Sequence, residues 1–283
     1  MPVRDDLGTR MKIFYEQIPK TKLMRRMPVI IRIDGKAFHT FTRGFKRPFD
    51  EVLINTMQAT TKYLCENIQG CVLGYTQSDE ISLVLVDYQR FESSAWFDYE
   101  IQKICSIAAS MATMAFNKSF TKNAEEFMTD CAASYEMEGL CGKGTEEYKL
   151  CEVYQKAIEK GAMFDARVFN IPKEEVTNCI YWRQLDASRN SIQMVGQANF
   201  SHKELQNKSC NDIQDMLMLQ KNINWNDFPT YQKRGTCAIY VDYQNPNSLT
   251  DGDRVKGWII DKDIPIFKGE CREYIEKLVM VGE

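Results

Sequence analysis

The sequence predicts an α+β protein, built on a mainly antiparallel sheet with helices packed on one face. Three observations indicate this class. Short β-branched runs such as "RMPVIIRID" (26–34) alternate with long amphipathic stretches. Residues 71–76 and 81–87 are two strand-like runs separated by a short polar stretch, which is the pattern of a hairpin. The order along the chain is strand, helix, hairpin, helix, strand, helix.

Composition limits the classes of protein that the chain can be. Its 283 residues suffice for a sizeable hydrophobic core, and its net charge of −3 does not by itself indicate a nucleic-acid binder. We find no apolar run long enough to cross a membrane and no hydrophobic signal segment at the N-terminus. The 10 cysteines form no C-x-x-C pair, so they are interpreted as reduced thiols of a cytoplasmic protein without membrane association.

The first half of the chain contains the predicted strand 26–34 and two predicted helices. The stretch 50–69 has helical apolar spacing, and Asp50 is a suitable N-cap for it. The hairpin follows, and then a largely apolar stretch over 95–120 predicts a long, well-buried helix.

The second half begins with 121–160, a charged helical pattern that we interpret as an insertion. The later elements share clear periodicity or capping signals: a strand over 162–172, a helix over 173–200, a Ser201–Glu204 capping box and a strand over 234–243. The tail is predicted to be short and partly helical. The chain therefore reads as one unit, with a core over 24–120, an insertion over 121–160 and the remaining core over 161–283.

Two acidic positions are candidates for catalysis. Asp34 ends the first strand, and Asp79 and Glu80 lie at the hairpin. If these strands pair, the carboxylates converge at one end of the sheet, where like charges repel unless a cation is bound. Mg²⁺ prefers such oxygen ligands, and two ions together could activate a hydroxyl and stabilise a leaving pyrophosphate. The alternative is that these acids simply cap the sheet against water.

The stretch "DGKAFHTF" (34–41) follows the first carboxylate directly. Gly35 allows close approach of the backbone to a ligand, and Lys36 and His39 can donate hydrogen bonds to a triphosphate. The basic loop of Arg43, Lys46 and Arg47 adds typical phosphate donors, although such a loop can also be merely solvated.

Basic residues recur in four further runs, at 20–26, 181–190, 201–209 and 231–235, and several of them stand beside Tyr or Trp. This mixture is typical of RNA binding, although each run alone is also typical of a solvated face. The candidate RNA contacts are Arg183, Asn190, Lys203, Lys208, Lys233 and Arg234. Tyr181 and Trp182 lie on a predicted amphipathic helix and are interpreted as core residues.

Five stretches together resemble the tRNAHis guanylyltransferase family, including its Thg1-like branch. They are "RIDGKAFHTF", "FKRPFD", "TQSDEISLVL", "YWRQLDASRN" and "YQKRGT", in the family's order and within about 24–245. The resemblance implies a catalytic domain similar to the palm of polymerases and to nucleotide cyclases, working in reverse on the 5′ end of tRNA. It implies ATP-dependent 5′-adenylylation, then attack by the 3′-hydroxyl of GTP or another NTP, with two Mg²⁺ ions per active site. A homotetramer is also implied.

The resemblance assigns roles to individual residues. Asp34 and Asp79 match metal ligands, with help from the Gly35 carbonyl, and Glu80 matches the acid beside them. Triphosphate contacts are implied for Ser78 and for the turn made of Gly35, Lys36, Ala37, Phe38 and His39. Arg47 stands where the family usually has Lys, and Asp50 matches a residue near the nucleotide base. Arg183 and Asn190 match the helix associated with the tRNA end or bound nucleotides.

One departure separates two activities within the family. The guanylyltransferases proper carry H-I-N-N-L-Y-N after W-R-Q, whereas this chain has "SRNSIQM" (188–194), with Ser188, Ser191 and Gln193 at changed positions. The stretch resembles the Thg1-like branch instead, which favours templated repair of 5′-truncated tRNA over addition of a single G to histidine tRNA. A nucleotide cyclase would share the acids but lacks "TQSDE", and a non-catalytic RNA-binding protein would not need Asp34 and Asp79 together.

Overall fold

Within the residues that the computed structural model describes, 6–138, 144–244 and 254–281, six strands form one antiparallel sheet. Their order is β4-β1-β3-β2-β5-β6. The strands are β1 (Val29–Gly35), β2 (Cys71–Gln77), β3 (Glu80–Leu85), β4 (Phe164–Asn170), β5 (Thr236–Gln244) and β6 (Arg254–Asp261). The predicted α+β class and hairpin are confirmed. Strand β6 was not predicted, because Lys256 and Gly257 interrupt its apolar pattern.

The α-helices of the described residues are numbered in chain order. They are α1 (Asp6–Met11), α2 (Phe38–Phe41), α3 (Glu51–Asn67), α4 (Ile101–Glu138), α5 (Glu146–Lys160), α6 (Lys173–Asn199), α7 (His202–Leu205), α8 (Cys210–Lys221), α9 (Thr230–Arg234) and α10 (Glu273–Val279). The capping box at Ser201 and Glu204 is present. The helix predicted to end at 120 continues as α4 to Glu138, because 101–138 contains no glycine or proline that would end it.

One face of the sheet is covered by α3 and α4. Ile31 and Ile33 of β1 point to this side, together with Leu83 of β3, and all three are fully buried. An aromatic cluster fills the space between α2 and α4, where the ring of Phe41 packs edge-on against that of Phe116, with centroids 5.6 Å apart. This core fixes the segment that follows β1, which is where the first candidate carboxylate lies.

Helices α6 and α10 cover the opposite face. Ile30 of β1 and Val84 of β3 pack there with Val176 and Ile180 of α6. The expectation of helices on one face only was therefore wrong. The reason is visible in β3, whose residues are all buried: a strand with apolar side chains on both sides needs cover on both faces.

The C-terminal half of α6 extends past the sheet and packs on α8. Val195 and Ile213 are buried in this contact with Leu217. The side of α6 facing away from that contact thereby becomes a wall beside the end of the sheet. No helix in the described parts of the chain combines the length and the apolar character needed to cross a bilayer.

Candidate active site

The hairpin turn and the end of β1 lie side by side. Ser78 and Asp79 form the two-residue connection between Gln77 and Glu80, and Ser78 has a φ of 50°, the kind of conformation that tight hairpin turns require. The Gly35 N–H donates to the Asp79 carbonyl oxygen (3.1 Å), and Asp34 is the cross-strand neighbour of Glu80. The structure therefore brings the two predicted metal ligands together at one end of the sheet.

The electrostatics of Asp79 show the cost of this arrangement. Burial raises the pKa of the Asp79 carboxyl above its ordinary value, and repulsion from Asp34 raises it further. Hydrogen bonds from its own backbone and from Ser78 offset part of the increase. Two carboxylates that repel in a partly buried place are stabilised by a bound cation.

The donor set fits Mg²⁺ on the condition that a substrate supplies further ligands. Among the described residues no group of three or more His, Cys, Asp or Glu side chains could hold a metal alone. Mg²⁺ is commonly bound by one or two carboxylates together with water and substrate phosphates. Asp34 and Asp79 are the hard oxygen donors that such a site needs, so the residues fit the ion.

A cleft of about 630 Å³ opens beside this pair. Many of the site residues predicted from the sequence line this cleft. They are Gly35, Ala37, Phe38, His39, Arg47, Asp50, Ser78 and Asp79, with Arg43 and Lys46 of the basic loop. Asp34 is not part of the lining and lies next to it, one residue before Gly35. The cleft thus joins an acidic end to a cationic wall, which suits a metal-bound triphosphate.

The turn after β1 is shaped by close packing. A Cβ atom on Gly35 would collide with the ring of Phe38, so only glycine fits there. Phe38 is buried in the aromatic core, which leaves its backbone as the part available to a ligand. Lys36 does not line the cleft, and its N–H donates to the Met163 carbonyl oxygen (2.8 Å). The Lys36 amide is therefore already bonded, whereas its side chain is exposed, and the triphosphate contact of Lys36 stays a prediction.

Asp50 lines the cleft, yet its carboxylate is occupied by protein donors. It accepts hydrogen bonds from the Leu53 N–H (2.9 Å), the Lys46 N–H (2.9 Å) and the Tyr154 hydroxyl (2.7 Å). The first of these is the predicted N-cap of α3. Asp50 accordingly fixes the basic loop to α3 and α5, and its place near a nucleotide base stays a prediction.

Glu80 is held in a buried ion pair with Arg183 of α6. Arg183 Nε donates to Glu80 Oε1 (2.6 Å) and Arg183 Nη2 to Glu80 Oε2 (2.7 Å), while Nη2 also donates to Asp186 (2.9 Å). Arg32 Nε lies 3.8 Å from Glu80. Burial raises the pKa of Glu80, although Arg183 acts in the opposite direction. Both oxygens of Glu80 therefore face the protein interior.

The six predicted RNA contacts divide by exposure. Arg183 is 7% exposed and bonded as described, and Lys233 is 9% exposed with its ammonium donating to the Asn226 carbonyl oxygen. These two placements differ from the predicted RNA contact, because each cation faces a partner inside the fold. Asn190 donates to Asp186 (3.3 Å), whereas Arg234 is half-buried and Lys203 and Lys208 are exposed.

Two features of α6 escaped the sequence analysis. Trp182, interpreted as a core residue, is 54% exposed, and its ring lies against the Arg183 guanidinium, 4.5 Å from the centroid. Met194 and Gln197 line the cleft. Their spacing from Asn190 is helical, which is the signal that could have found them.

Comparison with known proteins gives consistent matches. The family described as "Thg1: tRNAHis guanylyltransferase" matches residues 8–172. A bacterial tRNAHis guanylyltransferase (Thg1)-like protein solved with ATP is 41% identical, with 96% of this chain and 98% of that chain covered and a TM-score of 0.75. A similar structure with GTP is 38% identical over 98% and 100% of the two chains, with a TM-score of 0.72. A probable tRNAHis guanylyltransferase of Drosophila melanogaster is 27% identical over 75% of this chain and 66% of its own.

Proposed function

Because the chain belongs to the tRNAHis guanylyltransferase family, whose members are nucleotidyltransferases, we propose that it repairs 5′-truncated tRNA by templated addition of nucleotides to the 5′ end. One observation carries the proposal: the neighbouring carboxylates of Asp34 and Asp79 lie at the end of a cleft whose other wall is cationic. Related structures contain ATP or GTP.

In the proposed reaction the 5′-phosphate of the RNA first attacks the α-phosphorus of ATP, and pyrophosphate leaves. The 3′-hydroxyl of the incoming NTP then attacks the activated 5′-phosphate, a new phosphodiester forms and AMP leaves. Arg43, Lys46, Arg47 and His39 would bind and orient the triphosphate, since they line one cleft. Two Mg²⁺ ions held by Asp34, Asp79 and the Gly35 carbonyl would neutralise phosphate charge and favour deprotonation of the attacking hydroxyl.

The choice of templated repair is supported by α6. Ser191 is buried and accepts a hydrogen bond from Trp225 Nε1 (3.0 Å), and Ser188 donates to the Gln184 carbonyl oxygen (3.1 Å). Neither position has the histidine or asparagine of the guanylyltransferases proper. The second candidate is addition of one G to histidine tRNA, which the names of the curated relatives favour.

The test measures the addition of nucleotides to the 5′ end of a purified tRNA. Protein, Mg²⁺ and NTPs are incubated with a tRNA lacking its first nucleotide, and the 5′ end is then mapped. We expect the nucleotide complementary to the opposing template base to be restored for each of the four template bases. Equal use of matched and mismatched NTPs would refute templating, and addition of G alone to histidine tRNA would select the second candidate.

Asp79→Ala should abolish addition, because it removes one of the two metal-binding carboxylates. Asp130→Ala is the matched control, since it deletes an exposed carboxylate of α4 that does not line the cleft. Retained activity of Asp79→Ala would disprove the assignment. The homotetramer and the cytoplasmic location stay predictions.

A further inference from the structure

A second pocket of about 610 Å³ adjoins the cleft. It lies between the C-terminal half of α6, α7 and the segment leading into α8. Arg47 and Gln197 line both spaces, so a ligand in one can reach a ligand in the other. Helix α8 supports the pocket from behind through the buried contact of Val195 with Ile213.

The polar side chains that line the second pocket are mainly carboxamides and cations. Gln193, Gln197, Gln206 and Asn207 contribute four carboxamides, and Arg47 and Lys208 contribute two cations. All six side chains are exposed, and none makes a hydrogen bond to another described residue. Carboxamides donate and accept, which suits ribose hydroxyls and base edges, while arginine and lysine suit phosphates.

The carboxylates near this pocket accept hydrogen bonds from the protein itself. Glu204 accepts from the Ser201 N–H (2.8 Å) and Asp212 accepts from the Ser209 N–H (2.8 Å), each in a capping box. The described lining of the second pocket contains no carboxylate at all. A triphosphate that carries Mg²⁺ is therefore poorly matched, whereas RNA phosphates accompanied by monovalent counterions are well matched.

We propose that the second pocket binds the 5′ end of the RNA acceptor, with its terminal phosphates toward Arg47 and Lys208 and its riboses and base edges among the carboxamides. This inference rests on the proposed function, because the transfer requires the 5′-phosphate to meet the triphosphate. Arg47, which lines both spaces, lies where these two phosphates would come together.

The chain offers a matched pair of lysines for the test. Lys208 lines the pocket, and Lys156 is an exposed lysine of α5 that lines neither this pocket nor the cleft. Binding of a 5′-truncated tRNA transcript is measured by fluorescence anisotropy without NTPs or Mg²⁺, at several salt concentrations. We expect Lys208→Ala to weaken RNA binding about tenfold and to reduce the salt slope by about one, with Lys156→Ala close to the parent protein.

The carboxamides are tested by Gln193→Ala combined with Gln206→Ala, which should weaken RNA binding about tenfold without changing the salt slope. Binding of ATP with Mg²⁺ should stay unchanged in all these variants. Loss of ATP binding with intact RNA binding would overturn the proposal and make the pocket a nucleotide site. Equal losses from both lysine variants, or no loss from either, would also overturn it.

Failure of the repair function would appear differently. RNA binding is measured without NTPs, so it does not depend on the reaction. If the pocket variants lose RNA binding but the parent protein extends no tRNA, only the proposed function is refuted. If the parent protein does not bind the transcript, the pocket assignment fails, whatever nucleotides the cleft accepts.

Discussion

Replacing Arg183 by methionine tests the role of the buried ion pair beside Asp79. The variant leaves the Glu80 carboxylate buried without its bidentate partner, and removal of one member of a buried pair typically costs about 3–5 kcal/mol. Arg32 remains 3.8 Å from Glu80 and can compensate in part, so we expect a loss near the lower end, about 3 kcal/mol in the free energy of unfolding. Chemical denaturation followed by circular dichroism measures it.

The double variant E80M/R183M separates stability from catalysis. With both charges removed, two methionines of suitable size can pack between β3 and α6, and most of the stability should return. If the Glu80 carboxylate takes part in the reaction, as predicted from the sequence, the stable double variant stays inactive in the tRNA extension assay. If Glu80 only holds the hairpin against α6, activity returns with stability.

Two outcomes would refute this reasoning. A loss below about 1 kcal/mol in Arg183→Met would show that the pair behaves like an exposed salt bridge. A double variant less stable than both single variants would show that the pair contributes more than the cost of leaving one charge unpaired.

The remaining predictions concern Asp79 and Asp50, which both line the cleft. Asp79→Asn should raise the melting temperature at neutral pH in EDTA, because the pKa of Asp79 is raised in the folded state and its charged form is disfavoured there. The gain should shrink as the pH falls through that raised pKa, where the parent carboxyl becomes neutral, and stabilisation by Mg²⁺ added together with ATP should be lost. An unchanged melting temperature would contradict the repulsion. Asp50→Ala should cost about 2–3 kcal/mol of unfolding free energy, since it removes an N-cap and two further hydrogen bonds. Tyr154→Phe, which removes only one of them, should cost about 1 kcal/mol, and equal losses would argue against this division.

Local patterns were sufficient to predict much of the fold. The two strand-like runs at 71–76 and 81–87, the N-cap at Asp50 and the periodicity of 173–200 are signals carried by neighbouring residues, and each matched the observed element closely. Strand β6 was missed, because its place in the sheet comes from pairing with β5 and not from its own alternation. The same limit explains why helices on both faces were not expected.

The candidate site, too, could be predicted only in part. The convergence of Asp34 and Asp79 was predictable, since adjacent antiparallel strands bring their ends together. What could not be predicted is which side chains already have partners. Glu80 and Arg183 are separated by 103 residues, and no local pattern indicates that they bond. Partners of this kind turned Arg183 and Lys233 from expected RNA contacts into interior groups.

The hydrogen bond from Tyr154 to Asp50 limits how far this protein can be trimmed. The two residues are 104 positions apart, so one wall of the cleft is fastened to a helix that the sequence alone suggested was an insertion. A shortened version made by deleting α5 would keep both candidate metal ligands and the whole sheet. It would nevertheless leave a buried carboxylate short of a donor beneath the basic loop. Any minimal enzyme designed from this chain should therefore retain α5, or replace Asp50 at the same time.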